Sequence, residues 1–405
     1  MNLNIILKEF VMKAKTSHFL LSLLALATLF TSCLKDDVEI TRYHYTDAEY
    51  AVIAQNLNLP KDLIDYSVKL PTHMTRFGLQ PPGISDSKAT LGRVLFYDNK
   101  LSKNNSVSCE SCHHQHLAFS DDVDFSEGFD QELTLRNSLA LGSVANFESS
   151  YGSGGGNSFG GQRAQFFWDE RAHSISQQSF LTIQDDIEMG MDLNDLADKL
   201  AQEDYYRILF RKAFGDEEIT SDRITLALQE FVNSLMSVNS RFDEGMDRAI
   251  SHTQSFPNFT SMENIGKQLF QTNCATCHSG DMSSPGEAVA NNGLDQFYTD
   301  QGVGGITGRS SDIGKFKVPF LRNIALTGPY MHDGRFETLY DVVEHYSTGV
   351  QAHENLDFRL RDPNNFAQPI RMNFNEGEKQ ALVAFLETLT DPIFLNAEKF
   401  SDPFN

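Results

Sequence analysis

The sequence predicts a mainly α-helical chain built as two tandem units of the same kind, and three features carry that prediction. The pattern Cys-x-x-Cys-His occurs twice, as Cys109-Glu110-Ser111-Cys112-His113 and as Cys274-Ala275-Thr276-Cys277-His278. A related apolar hexapeptide precedes each copy: Leu91-Gly92-Arg93-Val94-Leu95-Phe96 before the first and Ile265-Gly266-Lys267-Gln268-Leu269-Phe270 before the second. Apolar residues at near-helical spacing follow each copy, Ile224, Leu228, Phe231, Leu235 and Val238 in one case and Leu382, Phe385, Leu386 and Leu389 in the other. Each unit is therefore expected to open with a helix, carry its cysteine motif, and close with a second helix whose apolar stripe belongs to the core.

The cysteine motif has a chemical reading. Two thiols at this spacing add across the vinyl groups of a porphyrin, and the adjoining His turns its imidazole onto the iron. A redox dithiol or half of a zinc site shares the Cys-x-x-Cys spacing, but neither requires the His, and zinc usually needs a second pair nearby. The expectation is two tandem cytochrome c-type haem domains with two covalent haems. Cys109, Cys112, Cys274 and Cys277 attach them, and His113 and His278 are the proximal iron ligands.

The fifth cysteine, Cys33, ends a different kind of segment. The run from Phe19 to Phe30 is apolar, follows Lys13 and Lys15, and leads into Thr31-Ser32-Cys33, the layout of a secretory signal and too short for a membrane span. Residues 1–32 are read as a lipoprotein-type signal peptide and Cys33 as the lipidated first residue of the mature chain; an ordinary signal with a free Cys33 is the alternative, and Met12 is an alternative start. Leu34-Lys35-Asp36-Asp37 resembles the signal that sends some lipoproteins to the outer face of the outer membrane. The protein is expected outside the cytoplasm, in the periplasm or at the cell surface, held to a bacterial membrane by its lipid alone. Export matches the haem reading, because bacteria attach c-type haems outside the cytoplasm.

With 405 residues the chain has room for two ordinary domains. Residues 33–82, with Pro60, Pro71, Pro81 and Pro82, are read as a tether and N-terminal extension, 83–250 as the first haem domain and 251–405 as the second. Ser251 to Ser261 is the expected linker, and Tyr151 to Gly161, rich in Gly and Ser, a surface loop. The formal net charge of −22 argues against nucleic acid, which needs clustered Lys and Arg. It suits a basic partner such as a small cytochrome; simple solubility is the other explanation.

Beyond the two motifs, several ordered words carry a resemblance: Leu91 to Asp98, Leu135-Arg136-Asn137, Phe167-Trp168-Asp169-Glu170-Arg171-Ala172, Ile187-Glu188-Met189, Phe316 to Asn323, and Gly328-Pro329-Tyr330-Met331-His332-Asp333-Gly334. Over roughly residues 85 to 395 the chain resembles the bacterial di-haem cytochrome c peroxidase family, including its MauG-like branch. That resemblance implies an oxidoreductase reducing hydrogen peroxide to water, with peroxide meeting the amino-terminal haem and electrons arriving at the carboxy-terminal one from a small cytochrome or other donor. The alternative it implies is a MauG-like oxidation of a protein or organic substrate by the two haems together. It places the acid and base role on Glu188, peroxide orientation on Gln178, and an electron relay between the haems on Trp168. It also implies one calcium ion at Asn137, Thr327 and Pro329, the last two through carbonyl oxygens; Asn137 as a turn cap is the simpler alternative. Members of that family are often homodimers.

Two departures from the classical pattern matter. Sixteen residues after His113, where classical members carry a distal His, stands Phe129, which cannot bind iron, so the first iron is expected to be open. His114, His116 and His173 are the nearby substitutes, with solvated loop histidines as the plainer reading. At the second haem the position aligned with the classical distal Met is Tyr346, with Met331 and His345 as rivals. A phenolate favours oxidised iron where a thioether favours reduced iron. Arg322 and Arg335 are the guanidinium candidates for the porphyrin carboxylates, and His332 is read as a loop buttress.

Overall fold

A computed structural model describes residues 44–76, 79–145, 165–282 and 286–405. The signal-peptide, Cys33 and Tyr151–Gly161 expectations lie outside the described residues. Described residues up to Leu63 form one small compact unit and Ile64–Asn405 the main one. In the small unit the helix Asp47–Ile53 starts in a capping box, with Thr46 and Glu49 exchanging hydrogen bonds.

The main unit is mainly α-helical, with only two short two-stranded sheets among the described residues. Its core repeats one helix pair. Helix Asp86–Tyr97 packs on helix Ser221–Ser234, and helix Ser261–Asn273 packs on helix Glu376–Glu387. The repeated hexapeptide explains the match. A Cβ on Gly92 would stand 1.9 Å from the Ala227 carbonyl oxygen, and one on Gly266 would stand 1.8 Å from that of Ala381, so both crossings need glycine to bring the backbones together. One turn on, Phe96 meets Phe231 at 5.3 Å between ring centroids and Phe270 meets Phe385 at 5.1 Å. All four rings are buried, each worth about 1.5–3 kcal/mol.

Capping sets where these helices begin. Thr260 with Glu263, and Asn375 with Glu378, form reciprocal capping boxes, and Thr220 accepts from the Arg223 amide. The closing helix of the first unit is shorter than its apolar stripe suggests, since it stops at Ser234 and leaves Leu235 and Val238 beyond it. Both are still buried. The backbone turns away there because the Val238 and Asn239 amides donate to the buried Asp391 carboxylate at 2.9 and 2.8 Å, and Val238 packs with Met74, Ala145 and Met236.

The C-terminal end of the main unit crosses back to the first haem unit, while the N-terminal end meets residues close to the boundary between the two. His73 hydrogen-bonds Asp247 through its Nδ1 at 2.9 Å, beside a buried ion pair in which Arg322 grips Asp243 at 2.8 and 2.9 Å. At the other end, Phe394 and Phe400 pack on Phe119 near the first cysteine motif, and Arg93 donates to the Ser401 carbonyl at 2.6 Å. No helix among the described residues is long and apolar enough to cross a membrane.

Candidate active site

Two cavities open in the main unit, one beside each cysteine motif. The first is walled by Cys109, Cys112 and His113 together with Gln178, Thr182 and Glu188. The second is walled by Cys274, Cys277 and His278 together with Met331 and Tyr346. Trp168 and Gln178 line both.

Local turns put each motif on its wall. Cys109–Ser111 is a single 3₁₀ turn in which the Cys112 amide donates to the Cys109 carbonyl; Ala275–His278 is one helical turn with the Cys277 amide donating to Cys274. Burial pushes the thiols up, to about 12 for Cys109 and Cys274 and about 11 for Cys112 and Cys277. Reactive redox dithiols have a depressed thiol, so the raised values run against that alternative here. The imidazoles fit a metal. His113 Nδ1 donates to the Phe119 carbonyl at 2.9 Å and His278 Nδ1 points at the Pro319 carbonyl at 3.3 Å. A carbonyl only accepts, so each Nδ1 carries the proton and each Nε2 keeps its lone pair, the state of an iron ligand. Burial also lowers both, His278 to about 4, which keeps them neutral. Two thiols and a neutral imidazole on the wall of a largely apolar cavity fit a covalently attached haem, twice.

In the first cavity, Glu188 follows an Asx turn in which the Asp185 carboxylate accepts from the Ile187 and Glu188 amides at 2.9 and 3.1 Å. Burial, then the charge of Asp185, pushes the Glu188 carboxyl up to about 7, against opposing contributions from Thr182 and Arg171. Gln178 projects from helix Ile175–Gln184, which Ser174 caps by accepting from Gln177. Phe129 does not line this cavity: its ring covers Gly190, and Lys103 lies over its face. None of the three spare histidines lines it either. His114 hydrogen-bonds Glu110 at 3.0 Å, and His116 and His173 are exposed.

In the second cavity Tyr346 sits in a π-helical turn, His345–Gly349, of the kind that re-aims side chains at functional sites. Burial holds its phenol above the ordinary range, and Asn292 pulls the other way. Met331 also lines the cavity, with its sulfur accepting from Asn292 Nδ2 at 3.5 Å. His345 is turned out of it, its Nε2 bonded to the Asn292 carbonyl at 3.1 Å. The indole of Trp168 is oriented by the Asn137 carbonyl, and the Trp168 carbonyl accepts from the Lys317 amide at 2.8 Å.

The guanidinium candidates need correction. Arg322 is wholly buried against Asp243 and the Met282 carbonyl, and Arg335 is held by Asp295 and Asp333; neither lines either of these two cavities. Arg136 and Arg171 line the first cavity and Arg359 the second. Their partners are Asp169 and Asp300 for Arg136, Asp169 for Arg171, and Asp357 and Glu287 for Arg359. Local sequence carries no mark of the Arg136–Asp300 pairing, which spans the two halves of the chain. Asn137, Thr327 and Pro329 all line the second cavity, and Asn137 Nδ2 donates to the Val123 carbonyl at 3.0 Å. His332 lines the same cavity, stacked on Phe316 at 3.7 Å.

Comparison with known proteins agrees with this geometry. Residues 86–250 match the family model for di-haem cytochrome c peroxidase, and residues 264–390 match that for cytochrome c. The chain is 32% identical over 312 residues to a cytochrome c551 peroxidase of Nitrosomonas europaea, covering 75% of this chain and 79% of the relative. It is 32% identical over 314 residues to the methylamine utilization protein MauG of Methylorubrum extorquens, covering 76% and 79%. Among solved structures, a MauG-like protein associated with microbial copper homeostasis is similar at 28% identity with a TM-score of 0.65, covering 85% of this chain and 99% of that one. The diheme peroxidase BthA from Burkholderia thailandensis shares the fold, with a TM-score of 0.59 at 19% identity, covering 80% and 91%. With two haem-binding motifs on the walls of two cavities and relatives that span most of its length, the chain is an oxidoreductase that belongs to the di-haem cytochrome c peroxidase family.

Proposed function

We propose that this chain reduces hydrogen peroxide to water in the first cavity, with electrons from a small cytochrome or other donor. The observation that carries the proposal is a carboxyl group poised near neutrality, Glu188, on the wall that also holds His113 and Gln178. Bound there, haem iron supplies a Lewis acid for the peroxide oxygen and a path for electrons. Glu188, as carboxylate, would take a proton from one peroxide oxygen and return it to the departing one, for which a value near the working pH is best suited. The Gln178 amide orients the peroxide, and Trp168, walled by both cavities, lies on the electron path. One peroxide, two electrons and two protons give two waters. Replacing Glu188 with Gln tests this: peroxide turnover should fall about 10²–10⁴-fold with haem content intact, and unchanged turnover would refute it.

A second reading, oxidation of a protein or organic substrate, is supported by Tyr346, since a phenolate stabilises oxidised iron at the second haem. Mixing the diferric protein with peroxide and no reductant separates the two: both haem bands changing and persisting for minutes favours this reading. Tyr346→Phe should then abolish the persistent change while Met331→Leu leaves it. Independently of which reading holds, we propose Cys33 as a lipid anchor outside the cytoplasm, a calcium ion held at Asn137, Thr327 and Pro329, and a homodimer as the assembly. Asn137 supports the cation, because its amide nitrogen is committed to Val123 and its Oδ1 therefore faces elsewhere.

A further inference from the structure

Trp168 lies within a tight hairpin whose own backbone does not favour the shape it takes. The Phe166 amide donates to the Ala172 carbonyl at 2.8 Å and closes the turn. Inside it, on either side of Trp168 and Asp169, Phe167 has a φ of +65° and Glu170 one of +56°. Residues with a side chain hold that left-handed conformation only where their surroundings impose it. Part of the restraint is local, since the Glu170 amide donates to the Phe167 carbonyl at 3.2 Å and the Arg171 guanidinium lies 3.5 Å over the Phe167 ring.

The rest comes from the second half of the chain. The Lys317 amide donates to the Trp168 carbonyl at 2.8 Å, and its buried ammonium donates to the Gln165 carbonyl and stands 3.8 Å from the Glu170 carboxylate. Glu170 accepts from the Gln165 amide at 3.1 Å, so Lys317, Gln165 and Glu170 form a closed ring of contacts behind Trp168. Lys317 is itself fixed, because the strand Phe316–Lys317 pairs antiparallel with Val289–Ala290. Lys317 and Trp168 both line the second cavity. Stability is a poor reason for this arrangement. Burial lowers the Lys317 ammonium to about 8 and raises the Glu170 carboxyl above the usual range, in each case outweighing the charge of the partner. A buried pair of that kind is weak support for a fold, whereas a side chain that must stand in one place gives it a purpose.

We propose that Lys317 is a positioning residue for electron passage between the two cavities: its ammonium, by holding the Gln165 carbonyl and Glu170 together, fixes the turn that carries Trp168. The proposal rests on the reading of Trp168 as part of the electron path and adds the device that aims it. Lys317 acts only through Trp168. Each turnover still takes one peroxide, two electrons and two protons to two waters, and Lys317 sets how fast electrons cross from the second cavity to the first.

The test uses the haem-loaded protein, reduced with dithionite, freed of excess reductant and mixed with peroxide in a stopped-flow instrument, with the absorbance of each haem followed separately. Lys317→Met keeps the backbone bond to Trp168 and removes only the ammonium. Oxidation of the first haem should keep its second-order rate constant in peroxide, while oxidation of the second should slow about ten- to a hundredfold. Glu170→Ala opens the ring from its other side and should slow the second haem in the same way, which keeps the test available if Lys317→Met loads haem poorly. Glu170→Gln retains an acceptor for the Gln165 amide and should leave both rates near those of the parent protein. An unchanged second-haem rate in Lys317→Met and Glu170→Ala would overturn the proposal. Equal slowing of both haems would also overturn it, as general loosening, and so would slowing in Glu170→Gln as large as in Glu170→Ala, which would assign the effect to charge. An unchanged second-haem rate in Trp168→Phe would instead sink the reading of Trp168 as the electron path.

Discussion

The indole Nε1 of Trp168 donates to the backbone carbonyl of Asn137 at 2.9 Å, and both residues line both haem-side cavities. A neutral carbonyl fixes the plane of the ring without offering a base for its proton. Trp168→Phe keeps an aromatic ring but removes the donor, leaving that carbonyl short of one bond at about 1 kcal/mol. The expected outcome is a small drop in melting temperature, unaltered haem absorbance, and at least about a tenfold loss of peroxide turnover in steady-state assays. Unaltered turnover would leave Trp168 as packing.

Glu188 makes the pH dependence specific. Its carboxylate is the competent base, so kcat/KM should fall as pH drops through about 7 and level off above it. The stability effect has the matching sign. A folded value raised above the unfolded one of about 4.3 costs nothing at pH values below both, and the full penalty applies only above about 7. Glu188→Gln should therefore stabilise the protein by up to about 3 kcal/mol at pH 8 and by almost nothing at pH 4, read by urea unfolding at the two pH values.

Gly92 and Gly266 carry the same burden in the two units. Gly92→Ala or Gly266→Ala places a methyl group under 2 Å from a helix carbonyl that belongs to a packed neighbour. Each should cost about 3 kcal/mol or more and lower the yield of haem-loaded protein. Gly83→Ala, with nothing within 4 Å of the new methyl, should be close to neutral in the same thermal unfolding experiment.

The buried pair of Asp243 and Arg322 predicts acid sensitivity. Arg322, helped by His73 and Ser240, holds the Asp243 carboxyl well below the usual carboxylate range despite burial. A depressed folded value gives stability that is complete above the unfolded value of about 3.9 and is lost as pH falls below it. Asp243→Asn leaves a buried guanidinium without its anion and should cost about 3–5 kcal/mol at pH 7, with a smaller difference at pH 3. A pH-independent difference would mean that packing, not charge, holds this junction.

Covalent attachment needs contiguous residues, so Cys109 to His113 and Cys274 to His278 could be read directly, and the close helix crossings left their trace as a repeated hexapeptide around Gly92 and Gly266. What only the folded chain decided is held together through space. That includes which arginines reach the cavities, Arg136, Arg171 and Arg359 rather than Arg322 and Arg335, and that Phe129 packs on Gly190 instead of lining the first cavity. It also includes the early end of helix Ser221–Ser234, set by a carboxylate at Asp391 far along the chain, and the return of the C-terminal segment to the first unit. Periodicity records which face of an element is apolar, but the partner that satisfies a given charge or amide is chosen by proximity after folding.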